Sequence, residues 1–324
     1  MKSRWLAALG AGVAVWPGLL ACSSDARTGA GAVAGAGVVA GAEAGAGAAP
    51  AAGASGVSSG GGNAGLPETA CPEHPKLQRS EGTLVSLALQ PVLAEKPFVF
   101  GQANALADGG SLIPLNFRFY VSEVSLLPMS GEAPIAVDLV TAAGSPEPYG
   151  VHLFNAEDVD SGTLRVLAPP GQYAGLSFAL GLKLACNQQA PTTLSDPLTD
   201  VSQMTWPHLA GFLFLRYEGR YTAADGSDGA DAGTNQQFPP LVHMGGDVGK
   251  ELVPRITAEG ALSVPANGRL EQRLRVVMDE IFKGATSDID LGDVSAPLLA
   301  SPGVPQGERL RRELPELHVF VLEP

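Results

Sequence analysis

From about residue 80 onward the chain breaks into short runs that alternate apolar and polar residues or are apolar throughout. These are Thr83 to Leu89, Leu112 to Leu127, Gly162 to Ala168, Tyr173 to Leu184, His208 to Tyr217 and Leu270 to Met278. A period of two puts alternate side chains on one face of an extended strand. Asp108-Gly109-Gly110, Ser130-Gly131 and Pro169-Pro170-Gly171 punctuate the runs as turns. Many short strands separated by Gly and Pro predict an all-β fold, an antiparallel β-sandwich or barrel-like body. One short helix is expected near Asp279 to Lys283, and a hairpin tip over the Gly- and Asp-rich Ala224 to Gly233. Asp225, Asp228 and Asp231 lack the spacing of a calcium loop, so that tip reads as solvated. The charged cluster Arg309 to Glu313 precedes an expected last strand, Leu317 to Leu322. No second domain or internal repeat is visible, so residues 81–324 read as one domain.

Upstream of residue 80 the pattern disappears. From Gly29 to Gly65, 27 of 37 residues are Ala or Gly, with no Leu, Ile or aromatic residue to offset the entropy of ordering. Residues 22–80 therefore read as a disordered linker, a chain whose ~45 flexible residues reach roughly 35–40 Å. Residues 1–21 read as a signal peptide. Lys2 and Arg4 precede an apolar stretch, Leu6 to Leu20, shorter than the ~20 residues of a membrane-spanning helix. Its end, Leu19-Leu20-Ala21-Cys22, resembles the lipobox of bacterial lipoproteins, in which the cysteine is lipidated and becomes the new N-terminus. A cysteine suits the task because its thiolate is a nucleophile. Ser23 in place of Asp points, by the same resemblance, to the outer membrane. The expectation is an exported protein, lipid-anchored at Cys22, facing the periplasm or the cell surface.

A formal charge of −13 argues against nucleic acid as a partner, because a basic stripe supplies most of that affinity. Three cysteines exclude a disulfide framework and a multi-cysteine zinc domain. His-Glu-x-x-His, Gly-x-Ser-x-Gly, a phosphate loop and Cys-x-x-Cys are all absent. The chain is therefore not expected to be an enzyme, a hydrolase with dispersed residues being the weakest of the readings. Of five histidines, His74 lies beside the linker and His318 in the last strand, while His152, His208 and His243 lie in strand-like segments of the body.

Trp5 and Trp16 leave with the leader, so Trp206 is the only tryptophan of the mature chain. It stands in Met204-Thr205-Trp206-Pro207-His208-Leu209-Ala210-Gly211-Phe212. If that piece is extended, Met204, Trp206 and His208 share a face. A thioether, an indole and an imidazole side by side suit a soft or borderline metal ion, copper above all. The competing reading is plain core packing by the same three residues.

Asn116-Phe117-Arg118-Phe119-Tyr120-Val121-Ser122 is followed by Gly175-Leu176-Ser177-Phe178-Ala179-Leu180-Gly181, then by Asn187 and Pro197-Leu198. The Met204–Phe214 segment with Arg216 comes next, and Val242-His243-Met244-Gly245 last. That ordered set resembles the MbnP-like family of exported copper-binding proteins, commonly encoded beside a MauG-like di-haem peroxidase. The resemblance runs in scattered blocks from about residue 82 to 283. It implies copper as cofactor, a MauG-like di-haem cytochrome peroxidase as partner, and His243 as first ligand at the family's His-x-Gly position. This chain departs from the pattern in three places. Gln188 stands where the family usually has the His of Asn-His, His208 stands where a second Trp is usual, and the four-cysteine pattern is gone. His208 is then the second ligand, Met204 a weak axial donor, and Trp206 an oxidisable wall of the site. Neutral imidazoles are needed, so binding should weaken as pH falls through about 6. In an oxidising compartment Cys71 and Cys186 are expected to pair; otherwise Cys186 would be a thiolate ligand beside the two histidines. The rival function is a metal-free surface lipoprotein whose β-domain binds a protein or a glycan.

Overall fold

The computed structural model describes residues 71–79, 81–106, 109–206, 211–222, 241–245, 253–282, 298–300 and 305–323. All of them fall within one compact unit, Gly61–Pro324. The elements begin with β1 (Thr83–Leu93), the short β2 (Lys96–Pro97) and β3 (Asn104–Ala105), and the long β4 (Ser111–Pro128). Next come β5 (Ile135–Ala136), β6 (Asp138–Leu139), β7 (Val151–Asn155), β8 (Thr163–Ala168), β9 (Gly171–Leu180) and α1 (Leu184–Asn187). Then follow β10 (Leu213–Thr222), β11 (Leu241–Gly245), β12 (Arg255–Val264), β13 (Arg269–Val277) and α2 (Met278–Phe282). The chain closes with β14 (Leu298–Ala300), α3 (Pro305–Glu313) and β15 (Phe320–Leu322).

The period-two pattern is what builds these strands. Val85, Leu87 and Leu89 of β1, Leu164 and Val166 of β8, and Leu274 and Val276 of β13 all point into the core, and their neighbours face outward or are half-buried. The strands join in one open sheet in the order β14-β11-β10-β4-β9-β12-β15-β13-β1-β8-β6. The sheet curls back on itself into a sandwich. Phe119 of β4 meets Phe320 of β15 edge-on at 5.5 Å, although β9 and β12 lie between those strands in the sheet. The all-β expectation therefore stands, with one addition to the antiparallel picture. Most pairings are antiparallel, but β1 runs parallel to β13, β12 to β15 and β11 to β14. The short helix near residue 280 is α2. The Arg309–Glu313 cluster lies within α3, and the last strand starts only at Phe320.

Central β4 is buried over Asn116–Ser122 because both of its faces are covered. Phe117, Phe119 and Val121 face the core, while the other face carries Arg118, Tyr120 and Ser122. Those three polar groups tie loops down rather than meeting water. Arg118 donates from Nη1 to the Ser202 carbonyl (2.6 Å) and from Nη2 to Glu157 (2.7 Å). The Tyr120 hydroxyl donates to the Pro197 carbonyl (2.8 Å), and Ser122 donates to the Gly181 carbonyl (2.8 Å). The loop over residues 196–203 is thereby pinned across the sheet and delivers Met204–Trp206 to its position.

Within the expected linker, residues 71–79 lie on the body. Cys71 is bonded to Cys186, whose Cα is 4.9 Å away. The Tyr149 N–H donates to the Glu73 carbonyl (3.0 Å), and the backbone N–H groups of Gln78 and Arg79 donate to Asp138 Oδ2. The leader, Cys22, the Ala/Gly tract and the Ala224–Gly233 tip with its three Asp residues lie outside the described residues.

Candidate metal centre

Strands β10 and β11 pair antiparallel with Arg216 opposite His243 and Glu218 opposite Leu241. Leu215, Tyr217, Val242 and Met244 of this pair are fully buried in the core. Alternation then places Arg216, Glu218 and His243 together on the other face, where diagonal neighbours across two strands are within reach of each other. Glu218 Oε1 sits 2.9 Å from His243 Nε2 and takes Arg216 Nε (3.0 Å) and Nη2 (2.9 Å) on the same oxygen. Arg216 Nη1 donates to the Gln203 carbonyl (2.6 Å), so the guanidinium is held at both ends. The three side chains are each only about a fifth exposed: 19% for Arg216, 22% for Glu218 and 17% for His243.

Trp206 closes the other side. Leu213 N–H donates to the Met204 carbonyl (2.7 Å) and Thr205 bridges Phe212, so residues 204–206 and 211–213 form the two legs of a narrow hairpin. Asn187, buried in α1, accepts the Phe212 N–H on Oδ1 at 2.9 Å. The Gly211 backbone has φ +106 and lies against that same amide, a conformation and a fit that suit glycine. The indole of Trp206 meets the His243 ring edge-on at a centroid distance of 6.3 Å. It also lies flat against Gly245. A Cβ there would run into Trp206 Nε1, with Trp206 Cε2 at 2.8 Å and the Phe212 carbonyl at 2.7 Å. From α3, Arg311 donates to the Gly245 carbonyl (2.7 Å) and pins the end of β11.

The structure thus brings His243 and Trp206 together. Met204 is placed in the core, fully buried among the hydrophobic cluster, where its sulfur serves packing. His208 lies outside the described residues. The Cys71–Cys186 bond excludes Cys186 as a thiolate ligand, because a disulfide sulfur is no thiolate. Gln188, in the position of the family's second imidazole, is exposed just past α1, while its neighbour Asn187 does the structural work. His152 is a core histidine, bonded through Nε2 to the Ser161 carbonyl (2.9 Å).

Glu218, Arg216 and Arg311 complete the site, and the sequence offered one signal for the first two. In Leu215-Arg216-Tyr217-Glu218, opposite charges recur at a spacing that puts both on one face of a strand. The donor hydrogen bond from His243 holds the Glu218 carboxyl below the usual carboxylate range, helped by Arg216 and opposed by burial. A group with a lowered folded-state pKa contributes stability that is present above its unfolded value and is lost as pH falls through the folded one. Metal-free protein should accordingly be more stable than its Glu218→Gln variant at neutral pH. That difference should vanish in chemical denaturation below the ordinary carboxylate range, about pH 4.

The MbnP family model matches residues 82–296, about two thirds of the chain. The chain belongs to the MbnP family. The matched range contains β1 to β13 and therefore every strand of the candidate centre, while α3 and β15 follow it. Among solved structures, MbnP from Methylosinus trichosporium is similar at 16% identity with a TM-score of 0.46, over 74% of this chain and 98% of that one. No curated protein matches the chain.

For an MbnP-family chain, copper is the group to test against these residues. A metal-binding imidazole characteristically donates its other ring N–H to a carboxylate, which fixes the tautomer and raises the basicity of the ligating nitrogen. His243 with Glu218 has that arrangement and so fits a metal ligand. Among the described residues no cluster of three or more His, Cys, Asp or Glu surrounds it.

Proposed function

We propose that this chain is a membrane-tethered copper-binding protein of the periplasm or cell surface, partner to a MauG-like di-haem peroxidase and not itself an enzyme. The single observation that carries the reading is His243, held through Nε2 by Glu218 beside the indole of Trp206. His243 and His208 hold the ion; His208 follows Trp206 by two residues in the sequence. Copper, when bound, supplies a redox centre next to an oxidisable ring. Trp206 is a wall rather than a ligand in its unmodified state, because an indole N–H is only a donor. Arg216 and the Gly245 backbone hold wall and ligand in place, and lipid at Cys22 with residues 23–70 tethers the body near a membrane-bound partner.

The double substitution His208→Ala with His243→Ala tests the reading. It should abolish tight copper binding, measured as copper per chain, while the far-UV circular dichroism stays unchanged. Stoichiometric copper retained by the double variant would contradict the assignment of ligands. A wild-type protein that takes up no copper would leave the metal-free surface lipoprotein, binding a protein or a glycan, as the better account.

A further inference from the structure

We infer that Glu218 is a positioning residue that holds the His243 proton on Nε2 and leaves the lone pair on Nδ1, so that Nδ1 is the atom offered to the metal. The inference rests on the copper reading only in its last clause. The place of the proton follows from counting donors and acceptors around one oxygen. Arg216 has donors only; its Nε donates to Glu218 Oε1 and its Nη2 makes an ion pair with the same oxygen. An ionised carboxylate has acceptors only, so the third group on that oxygen, His243 Nε2, must be the donor. Arg216, always charged and held at its far end by the Gln203 carbonyl, keeps that oxygen an acceptor. A neutral imidazole carries one N–H, and with that N–H on Nε2 the free lone pair is on Nδ1.

Three constraints keep the ring from turning over. Arg216 is anchored at its far end by the Gln203 carbonyl, which fixes the carboxylate it holds. The register of β10 against β11 fixes the two backbones, with Arg216 directly opposite His243. The Trp206 indole stands against the ring at 6.3 Å. The value of the Glu218–His243 pair lies in setting the orientation of a donor atom.

The test is 15N NMR of the full chain labelled at histidine, with His243 assigned by comparison with a His243→Gln variant. In metal-free protein with the imidazole in its neutral form, Nε2 should carry the proton and Nδ1 none. Addition of Cu(I) should then move the Nδ1 resonance strongly and the Nε2 resonance little. Glu218→Leu should expose the Nε2 proton to solvent exchange and weaken Cu(I) binding by about 10- to 100-fold, the usual cost of losing such a partner. Glu218→Gln, whose amide oxygen still accepts, should keep the tautomer and guard against a variant that merely misfolds. A neutral ring whose proton sits on Nδ1 in the metal-free wild type overturns the inference, as does Cu(I) binding through Nε2. No response of either nitrogen to Cu(I) overturns the copper reading and the use of Nδ1, whereas the place of the proton is read from the metal-free spectrum alone.

Discussion

Replacing Cys186 by Ala is expected to lower the stability of the body by about 3–5 kcal/mol, the effect of opening a loop of this length in the unfolded chain. The bond joins residues 115 apart and is the covalent link between the segment at residues 71–79 and α1. Urea unfolding of the purified protein, with and without reductant, checks the figure, and the variant should match the reduced wild type. The consequence reaches the candidate centre. Cys186 immediately precedes Asn187, whose Oδ1 takes the Phe212 N–H, and Phe212 belongs to the hairpin that carries Trp206. The near-UV circular dichroism of the variant should therefore change along with its midpoint. Equal midpoints for variant and wild type would show that the pairing does not constrain the chain.

Gly245→Ala is expected to cost about 1–3 kcal/mol, the range for forcing an extra methyl into a packed interior. The strain is local and has a visible reporter. The new methyl competes with the Trp206 indole on one side and the Phe212 carbonyl on the other, while Arg311 and the β10 pairing hold the strand where it is. The indole is the part that can yield, so it should swing away from β11 and lose its edge contact with His243. Trp206 is the only tryptophan outside the first 16 residues, so in protein made without residues 1–21 its fluorescence reports the movement without interference. The emission maximum should shift to the red as the ring gains water. A variant with wild-type emission and stability would contradict the packing described here.

How far the chain could be read in advance follows from which interactions are local. The alternation in β1, β8 and β13 is a property of neighbouring residues, and those strands were legible. So was β4 as a strand; that its second face is covered was not, because Arg118, Tyr120 and Ser122 there are tied down by groups distant in sequence. The parallel pairing of β1 with β13 was not legible. It joins Leu84 to Arg269 across most of the body, and no local pattern records that register. The Arg309–Glu313 cluster read as charge, yet in α3 Leu310, Arg311 and Glu313 turn inward, and Arg311 reaches Gly245.

The centre divides in the same way. His243, Trp206 and Gly245 stood out as residue types in a recognisable order, and the structure brings them together. Glu218 could not be matched to His243 in advance, because the two are 25 residues apart and meet only through the β10–β11 register. Met204 has the right period to share a face with Trp206. The hairpin carries it deeper, into the core, and a pattern of two cannot show depth.

The central claim is that His243 belongs to a copper site. The most direct measurement is the copper content of the protein isolated from its own cells, set against that of a His243→Ala variant made in the same way. One copper per wild-type chain, lost in the variant with the fold intact, is the predicted result. Wild-type protein that emerges without copper and takes up none when Cu(I) is supplied would contradict the account.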